Sequence, residues 1–379
     1  MINKKSLLIL LAMALIFAVN AEPCGAVLYR ENSNKHYSYF NVPDGAYHHY
    51  FGFLEGPAWE NKYCAYRTYV DSANRNIIDF IVKYQPVAIL HYFNDSTIDE
   101  HNNNSWGTDC FSAGTTMGLG AFRLLYNNQW LNPQIGKSAK NLDSLVIQIA
   151  DSSTQTPKVI ITYYGWNYGG SNKITVTWTI TTTLNERPAH CEVNIAGNYT
   201  GKVVVGITNN NKRGHPVTLI QDSTKAVLAT IGKQGGLSEG FTDTLLLAVY
   251  ASKSYFFSYT EDSQNYGMVL TPDANHSVKW SIAYSEERES SVIFRSPHWQ
   301  DSLFPTTNVK NPDKRGYSQK YNGINSTNVT VTKEIFNVSG KKIRLYPENK
   351  SMIIKRPFGI YIERESDGSL KRKLDSRIN

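Results

Sequence analysis

The chain has 379 residues, 41% hydrophobic, 12% aromatic and 19% charged, enough to bury a substantial core without depending on disulfides or a structural metal. Of its formal charge of +7, Lys4 and Lys5 carry two and the tail from Lys333 to Asn379 a net six, which leaves the body at −1. That near-neutral body excludes nucleic acid as the main partner, because a phosphate-binding protein gathers its positive charge on the binding face.

The amino terminus has the form of an export signal. Lys4 and Lys5 precede an apolar run from Ser6 to Val19 that is too short to span a bilayer, and Val19-Asn20-Ala21 is a small-residue cleavage site. Residues 1–21 are expected to be removed and the mature protein to be secreted or displayed at the cell surface. Asn20-Ala21-Glu22-Pro23 does not resemble a lipobox, so soluble export is preferred to a lipid anchor on Cys24. In an exported chain Cys24, Cys64, Cys110 and Cys191 would meet conditions where disulfides persist, in any of three pairings, and none has the spacing of a zinc site.

The stretch from Glu55 to Asp71 opens on a Gly56-Pro57 turn signal and closes as a strand. Period two puts Tyr63, Arg67 and Tyr69 on one face and Cys64, Tyr66, Thr68 and Val70 on the other. With Glu55, Trp59, Glu60 and Lys62 just before it, this density of hydrogen-bonding and stacking groups suits the wall of a polar pocket. Ser72 to Lys83 offers a weak helical pattern, made doubtful by Asn74, Arg75 and Asn76. His91 to Gly107 is a long Asn-rich and acid-rich loop with His91, Asp95, Asp99, Glu100, His101 and Trp106, followed by Asp109. Loops of that length in compact domains are more often functional than not.

From there the pattern is β throughout. Strands are expected at Leu145–Ala150, Lys158–Tyr164, Lys173–Leu184, His190–Ala196, Lys202–Thr208, Thr244–Tyr250, Tyr255–Thr260, Tyr266–Leu270 and Val278–Tyr284, separated by signals such as Gly169-Gly170-Ser171-Asn172 and Gly235-Gly236. In Ile174-Thr175-Val176-Thr177-Trp178-Thr179-Ile180-Thr181 apolar residues alternate with threonine, so one face meets the core and the other meets solvent or a groove. Glu286 to Phe294 is the only other weak helical stretch. Many short strands with little helix predict an all-β sandwich over residues 22–300. Residues 301–332, rich in Pro, Gly, Ser and Asn, read as a linker. Lys333 to Asn379 forms a second, small β-domain with a hairpin signal at Asp367-Gly368-Ser369.

Two resemblances refine these expectations. The tail, in Asn337-Val338-Ser339-Gly340-Lys341-Lys342 and Gly359-Ile360-Tyr361, resembles the short C-terminal β-domains that direct secretion or surface attachment in some Gram-negative bacteria, which implies bacterial secretion machinery as a partner. The main domain resembles a bacterial family of unknown function associated with polysaccharide-utilisation loci. The shared residues, in family order, are Glu55-Gly56-Pro57-Ala58-Trp59-Glu60, Tyr66-Arg67-Thr68-Tyr69-Val70-Asp71, His101 with Trp106-Gly107-Thr108-Asp109, Gly118-Leu119-Gly120, Tyr164-Gly165-Trp166 and Ala229-Thr230-Ile231-Gly232-Lys233-Gln234. The resemblance implies a β-supersandwich of the galactose-mutarotase type. It also implies chemistry like that of a relative implicated in ulvan breakdown, which dehydrates uronic-acid oligosaccharides.

β-Elimination from a uronate needs a charge to neutralise the carboxylate, a base for the C5 proton and an acid for the departing oxygen. Arg67 suits the first role through two parallel hydrogen bonds, His101 the second and Tyr69 the third. Trp59 and Trp106 offer stacking faces for a sugar, while Glu55, Glu60, Lys62, Tyr66 and Asp109 are expected to contact substrate or orient the base. Plainer roles stand beside these: Glu60 as a turn carboxylate, Asp109 as a cap, the tryptophans as core, and His48 or His49 as the base instead. The sequence requires no cofactor. Asn94-Asp95 and Asp99-Glu100 have the oxygen ligands of a structural calcium site without EF-hand spacing, so no metal site is assigned. The rival functions are a glycoside hydrolase using carboxylates among Glu55, Glu60 and Asp109, and a non-catalytic glycan-binding module.

Overall fold

The computed structural model describes residues 23–30, 35–47, 50–51, 54–72, 76–94, 102, 104–136, 140–209, 217–233, 244–287, 299 and 304, with four short strands of the tail. The chain divides into two compact units, Met1–Lys333 with Val338–Gly340, and Glu334–Asn337 with Lys341–Asn379.

In chain order the first unit contains β1 (Gly25–Val27), β2 (Tyr39–Val42), β3 (Ala58–Glu60), β4 (Cys64–Tyr69), β5 (Ile77–Lys83), β6 (Gly107–Thr108), β7 (Leu119–Tyr126), β8 (Gln129–Leu131), β9 (Ser144–Asp151) and β10 (Lys158–Gly169). There follow β11 (Asn172–Thr181), β12 (Ala189–Ala196), β13 (Lys202–Thr208), β14 (Val217–Gln221), β15 (Lys225–Gly232), β16 (Leu245–Ser252), β17 (Phe256–Glu261), β18 (Asn265–Leu270) and β19 (Ser277–Glu286). A 3-10 turn at Leu90–Asn94 interrupts the β pattern.

These strands form a nine-stranded antiparallel sheet in the order β14-β15-β16-β19-β12-β11-β10-β9-β2, and two five-stranded sheets, β17-β18-β13-β7-β8 and β1-β3-β4-β5-β6. The protein is an all-β sandwich, as the short alternating strands predict. The nine-stranded sheet and the sheet containing β7 share one core. Phe122 of β7 meets Trp178 of β11 edge to face at 5.3 Å, and the Trp280 indole donates to the Gly120 carbonyl at 2.8 Å. The threonine-rich strand behaves as its pattern requires, with Ile174, Val176, Trp178 and Ile180 buried and the intervening threonines partly exposed.

The two five-stranded sheets meet where β5 passes the start of β7, through a parallel bridge between Ile78 and Gly118. A Cβ at residue 118 would lie 1.8 Å from the Ile78 carbonyl oxygen, and the residue has φ +64°, so only glycine permits the junction.

Three expectations are corrected. The weak helix over Ser72–Lys83 is in fact strand β5 across Ile77–Lys83. All seven of its residues are buried, so both faces are covered and the period-two alternation that would have marked it is absent. β10 runs on to Gly169 through a bulge between Tyr163 and Trp166. The four cysteines are buried thiols. Beyond residue 287 the second helical stretch lies outside the described residues.

The second unit contains two antiparallel hairpins, β20 (Ile335–Phe336) with β21 (Lys342–Ile343), and β22 (Ile360–Arg364) with β23 (Leu370–Leu374). The second brackets the predicted Asp367-Gly368-Ser369 turn.

Candidate functional site

The site is built on the β3–β4 hairpin. Asn61 makes its turn, accepting the backbone amides of Tyr63 and Cys64 on its side-chain oxygen at 2.8 and 3.1 Å. Its side-chain amide donates to Thr182 Oγ1 at 3.0 Å, which ties the hairpin to the segment after β11. Upstream, residues 55–57 continue the pairing with β4: Thr68 donates to the Pro57 carbonyl at 3.1 Å and Val70 to the Glu55 carbonyl at 3.3 Å. That approach leaves no room for a side chain at Gly56, whose Cβ would sit 1.9 Å from the Thr68 carbonyl oxygen. Glu55 adopts φ +57°, a left-handed conformation that costs about 1–3 kcal/mol outside glycine and is concentrated at functional sites.

The two faces of β4 do different work. Cys64 and Tyr66 enter the main core, where Tyr66 stacks on Trp59 with ring centroids 5.7 Å apart. The other face carries a buried charge cluster. Arg67 lies directly across from Asp79 of β5 and donates to Asp79 Oδ2 through Nε at 3.1 Å and Nη2 at 2.9 Å. The same Nη2 donates to Asp109 Oδ2 at 2.5 Å, and the Tyr69 hydroxyl donates to Asp79 Oδ2 in a short hydrogen bond. Arg67 is 4% exposed and both aspartates 2%. One guanidinium thus holds two carboxylates away from water, where each charge–charge contact is stronger than at the surface. Burial pushes the Tyr69 phenol well above its ordinary range; Asp79 and Asp109 add to the rise and Arg67 opposes it, so Tyr69 holds its proton.

A second buried pair lies on the same sheet. Lys83 contacts Glu60 at 2.5 Å and donates to the Asn61 carbonyl at 2.7 Å, while Glu60 accepts the Ile89 amide at 3.0 Å. Burial lowers the Lys83 ammonium below its usual range, with Glu60 acting in the opposite direction.

The structure brings together four of the expected site residues. Arg67, Tyr69 and Asp109 form one cluster, and Glu55 adds its charge beside Tyr69. The others fall elsewhere. Trp59 is 1% exposed and Tyr66 fully buried, so neither presents a face or a hydroxyl to a sugar. Trp106 is buried beneath Tyr92, whose ring stacks on it at 5.3 Å. Glu60 is committed to Lys83, and Lys62 reaches the exposed Asn185 side chain at 3.1 Å. Arg67, expected to clamp a substrate carboxylate, clamps two of the protein's own. His101 lies outside the described residues, as do His48, His49 and the candidate calcium ligands Asp95, Asp99 and Glu100. Among the described residues no group of three or more His, Cys, Asp or Glu side chains is arranged to hold a metal ion.

Asp79 is the site residue that sequence reasoning missed. Its signal was present: a lone carboxylate inside Ile77-Ile78-Asp79-Phe80-Ile81-Val82, where a buried charge needs a partner.

Fold and site together define an all-β sandwich with a buried cluster of one arginine, one tyrosine and two aspartates. The chain belongs to the family described as a domain of unknown function, DUF4861, whose profile matches residues 18–308. A search of curated proteins returns no match.

Proposed function

We propose that this protein is an exported carbohydrate-active lyase or dehydratase that eliminates water or a glycosyl group from uronic-acid-containing oligosaccharides of plant or algal polysaccharides. The observation that carries this proposal is the convergence of Arg67, Tyr69 and Asp109 on Asp79 or its arginine partner. Elimination needs a proton donor for the departing oxygen, and Tyr69 keeps its proton over any ordinary working pH. It also needs positive charge near the carboxylate and the enolate that develops from it. In this scheme Arg67 supplies that charge when the substrate carboxylate takes the place of Asp109 on Nη2, with Asp79 holding the guanidinium in orientation. His101, eight residues before Asp109 in the sequence, is the base in this scheme. The resemblance of the chain's motifs to those of an ulvan-oligosaccharide dehydratase supports the substrate class. Residues 1–21 direct export, and the small C-terminal unit hands the protein to bacterial secretion or surface-attachment machinery.

One observation favours hydrolysis as a second reading, since Asp79 and Asp109 meet at a single guanidinium nitrogen and so form a close carboxylate pair. Products separate the two. The mature protein incubated with uronate oligosaccharides from ulvan, pectin and glucuronoxylan is expected to raise near-ultraviolet absorbance as the 4,5-unsaturated sugar forms, and Tyr69→Phe, Arg67→Lys and His101→Ala are expected to abolish the rise. New reducing ends without absorbance would replace elimination by hydrolysis. Binding with neither change would make the protein a glycan-recognition module.

A further inference from the structure

The outward face of the nine-stranded sheet changes character along β19. At Ala283, which pairs with Ala248 of β16, the face is apolar and is covered by Trp299 and Phe304. Two and four residues earlier it becomes polar, at Ser281 and Lys279. Two rows cross the strands there: Thr181, His190, Ser281 and Tyr250, then Thr179, Glu192 and Lys279. Where the apolar cover ends, these rows form the floor of a groove of about 330 Å³. That volume lies within the range of about 300–1,000 Å³ typical of small-ligand sites.

The groove has an aromatic wall and an ordered polar floor. Tyr250 is braced by Phe304, with stacked rings 5.2 Å apart, and Tyr255 is held by its hydroxyl's hydrogen bond to Asp273 at 3.3 Å. The floor groups are already oriented. His190 contacts Ser281 Oγ through Nδ1 at 2.9 Å and Glu186 through Nε2 at 3.3 Å. Glu192 accepts Ser277 Oγ at 2.9 Å and lies 3.4 Å from the Lys279 ammonium. Hydroxyls, an imidazole, a carboxylate and an ammonium alternate across neighbouring strands about 4.8 Å apart. A molecule that carries both donors and acceptors around a flat apolar ring can satisfy such a grid. Charges of both signs surround the groove: Glu186, Glu192 and Asp273 stand in or beside it with Lys279, and its rows continue to Lys158 beside Thr181 and Lys225 beside Ser252. A surface with no excess of positive charge offers a carboxylated or sulfated chain no net attraction.

We propose that this groove binds a neutral saccharide chain, as a site separate from the Arg67 cluster. It does not depend on the chemistry assigned to that cluster. The test is isothermal titration calorimetry of the full mature chain with cellotetraose, xylotetraose and a uronate tetrasaccharide, on the wild type, Glu192→Ala, Tyr255→Ala and Tyr69→Phe. At least one neutral tetrasaccharide is expected to bind. Glu192→Ala and Tyr255→Ala should each weaken it tenfold or more with an unchanged melting temperature, since both side chains are partly exposed, and Tyr69→Phe should bind as the wild type does. The proposal is overturned if no neutral tetrasaccharide binds, if binding survives both groove substitutions, or if the uronate binds more tightly in a manner those substitutions remove. Loss of elimination activity in Tyr69→Phe with saccharide binding intact would keep the two sites distinct.

Discussion

Tyr69 and Arg67 converge on one atom: the tyrosine hydroxyl and two nitrogens of the guanidinium all donate to Asp79 Oδ2. Asp79 is therefore the pivot of the cluster, and its loss leaves Arg67 and Tyr69 without the group that aligns them.

Asp79→Ala is expected to destabilise the fold by about 3–5 kcal/mol, the usual cost of breaking a buried ion pair from one side. Urea unfolding should show a lower midpoint with the same m-value. Because the partners share one network, the Arg67→Ala/Asp79→Ala double variant should lose less than the two single losses combined. Strict additivity would show that the two side chains are energetically independent.

Tyr69→Phe removes the hydroxyl and leaves the ring in place. If Tyr69 is the proton donor, turnover of a uronate oligosaccharide should fall by about 10²–10⁴-fold. Stability should fall by no more than about 1.5–3 kcal/mol, the range for a hydrogen bond to a charged group. Unchanged turnover would remove Tyr69 from the reaction.

Alkaline pH should unfold the protein through its buried phenols. Burial, the largest cause, raises both Tyr66 and Tyr69 well above the ordinary phenol range. Unfolded tyrosines ionise near pH 10, about where the native ones still hold their protons. Below that pH the contribution is fully present. Above it the unfolded state binds fewer protons than the native state, so stability falls as pH rises. Each such phenol contributes about 1.4 kcal/mol per pH unit to the slope. Denaturant titrations between about pH 9 and pH 11 should give Tyr66→Phe a slope that grows shallower with pH, by close to one proton at the alkaline end. An unaltered slope would mean that Tyr66 ionises within the fold.

Gly56→Ala forces a methyl group to within 1.9 Å of the Thr68 carbonyl oxygen, a backbone atom with no rotamer to yield. The expected loss is about 3 kcal/mol or more, read as a melting-temperature drop. A variant that melts with the wild type would show that residues 55–57 do not pair with β4 as described.

Much of this protein was legible in its sequence because period two is a local property. The alternation from Ile174 to Thr181 identified both faces of β11, and the same rule put Arg67 and Tyr69 on one side of β4 and Tyr66 on the other. What lies opposite a face is decided by strands far away in sequence. Asp79 is Arg67's partner because β5 pairs with β4 in a register that the residues of β4 do not contain. Coverage is also a tertiary matter. β5 lost its alternation because both its faces are buried, and Trp59 and Trp106 became core once Tyr66 and Tyr92 packed on them. The sequence by itself determined the all-β class, the strands β4, β9 to β13 and β16 to β19, and which of their side chains share a face. Only the tertiary structure decided which of those faces are dry, since burial depends on the summed contacts of segments brought together by folding.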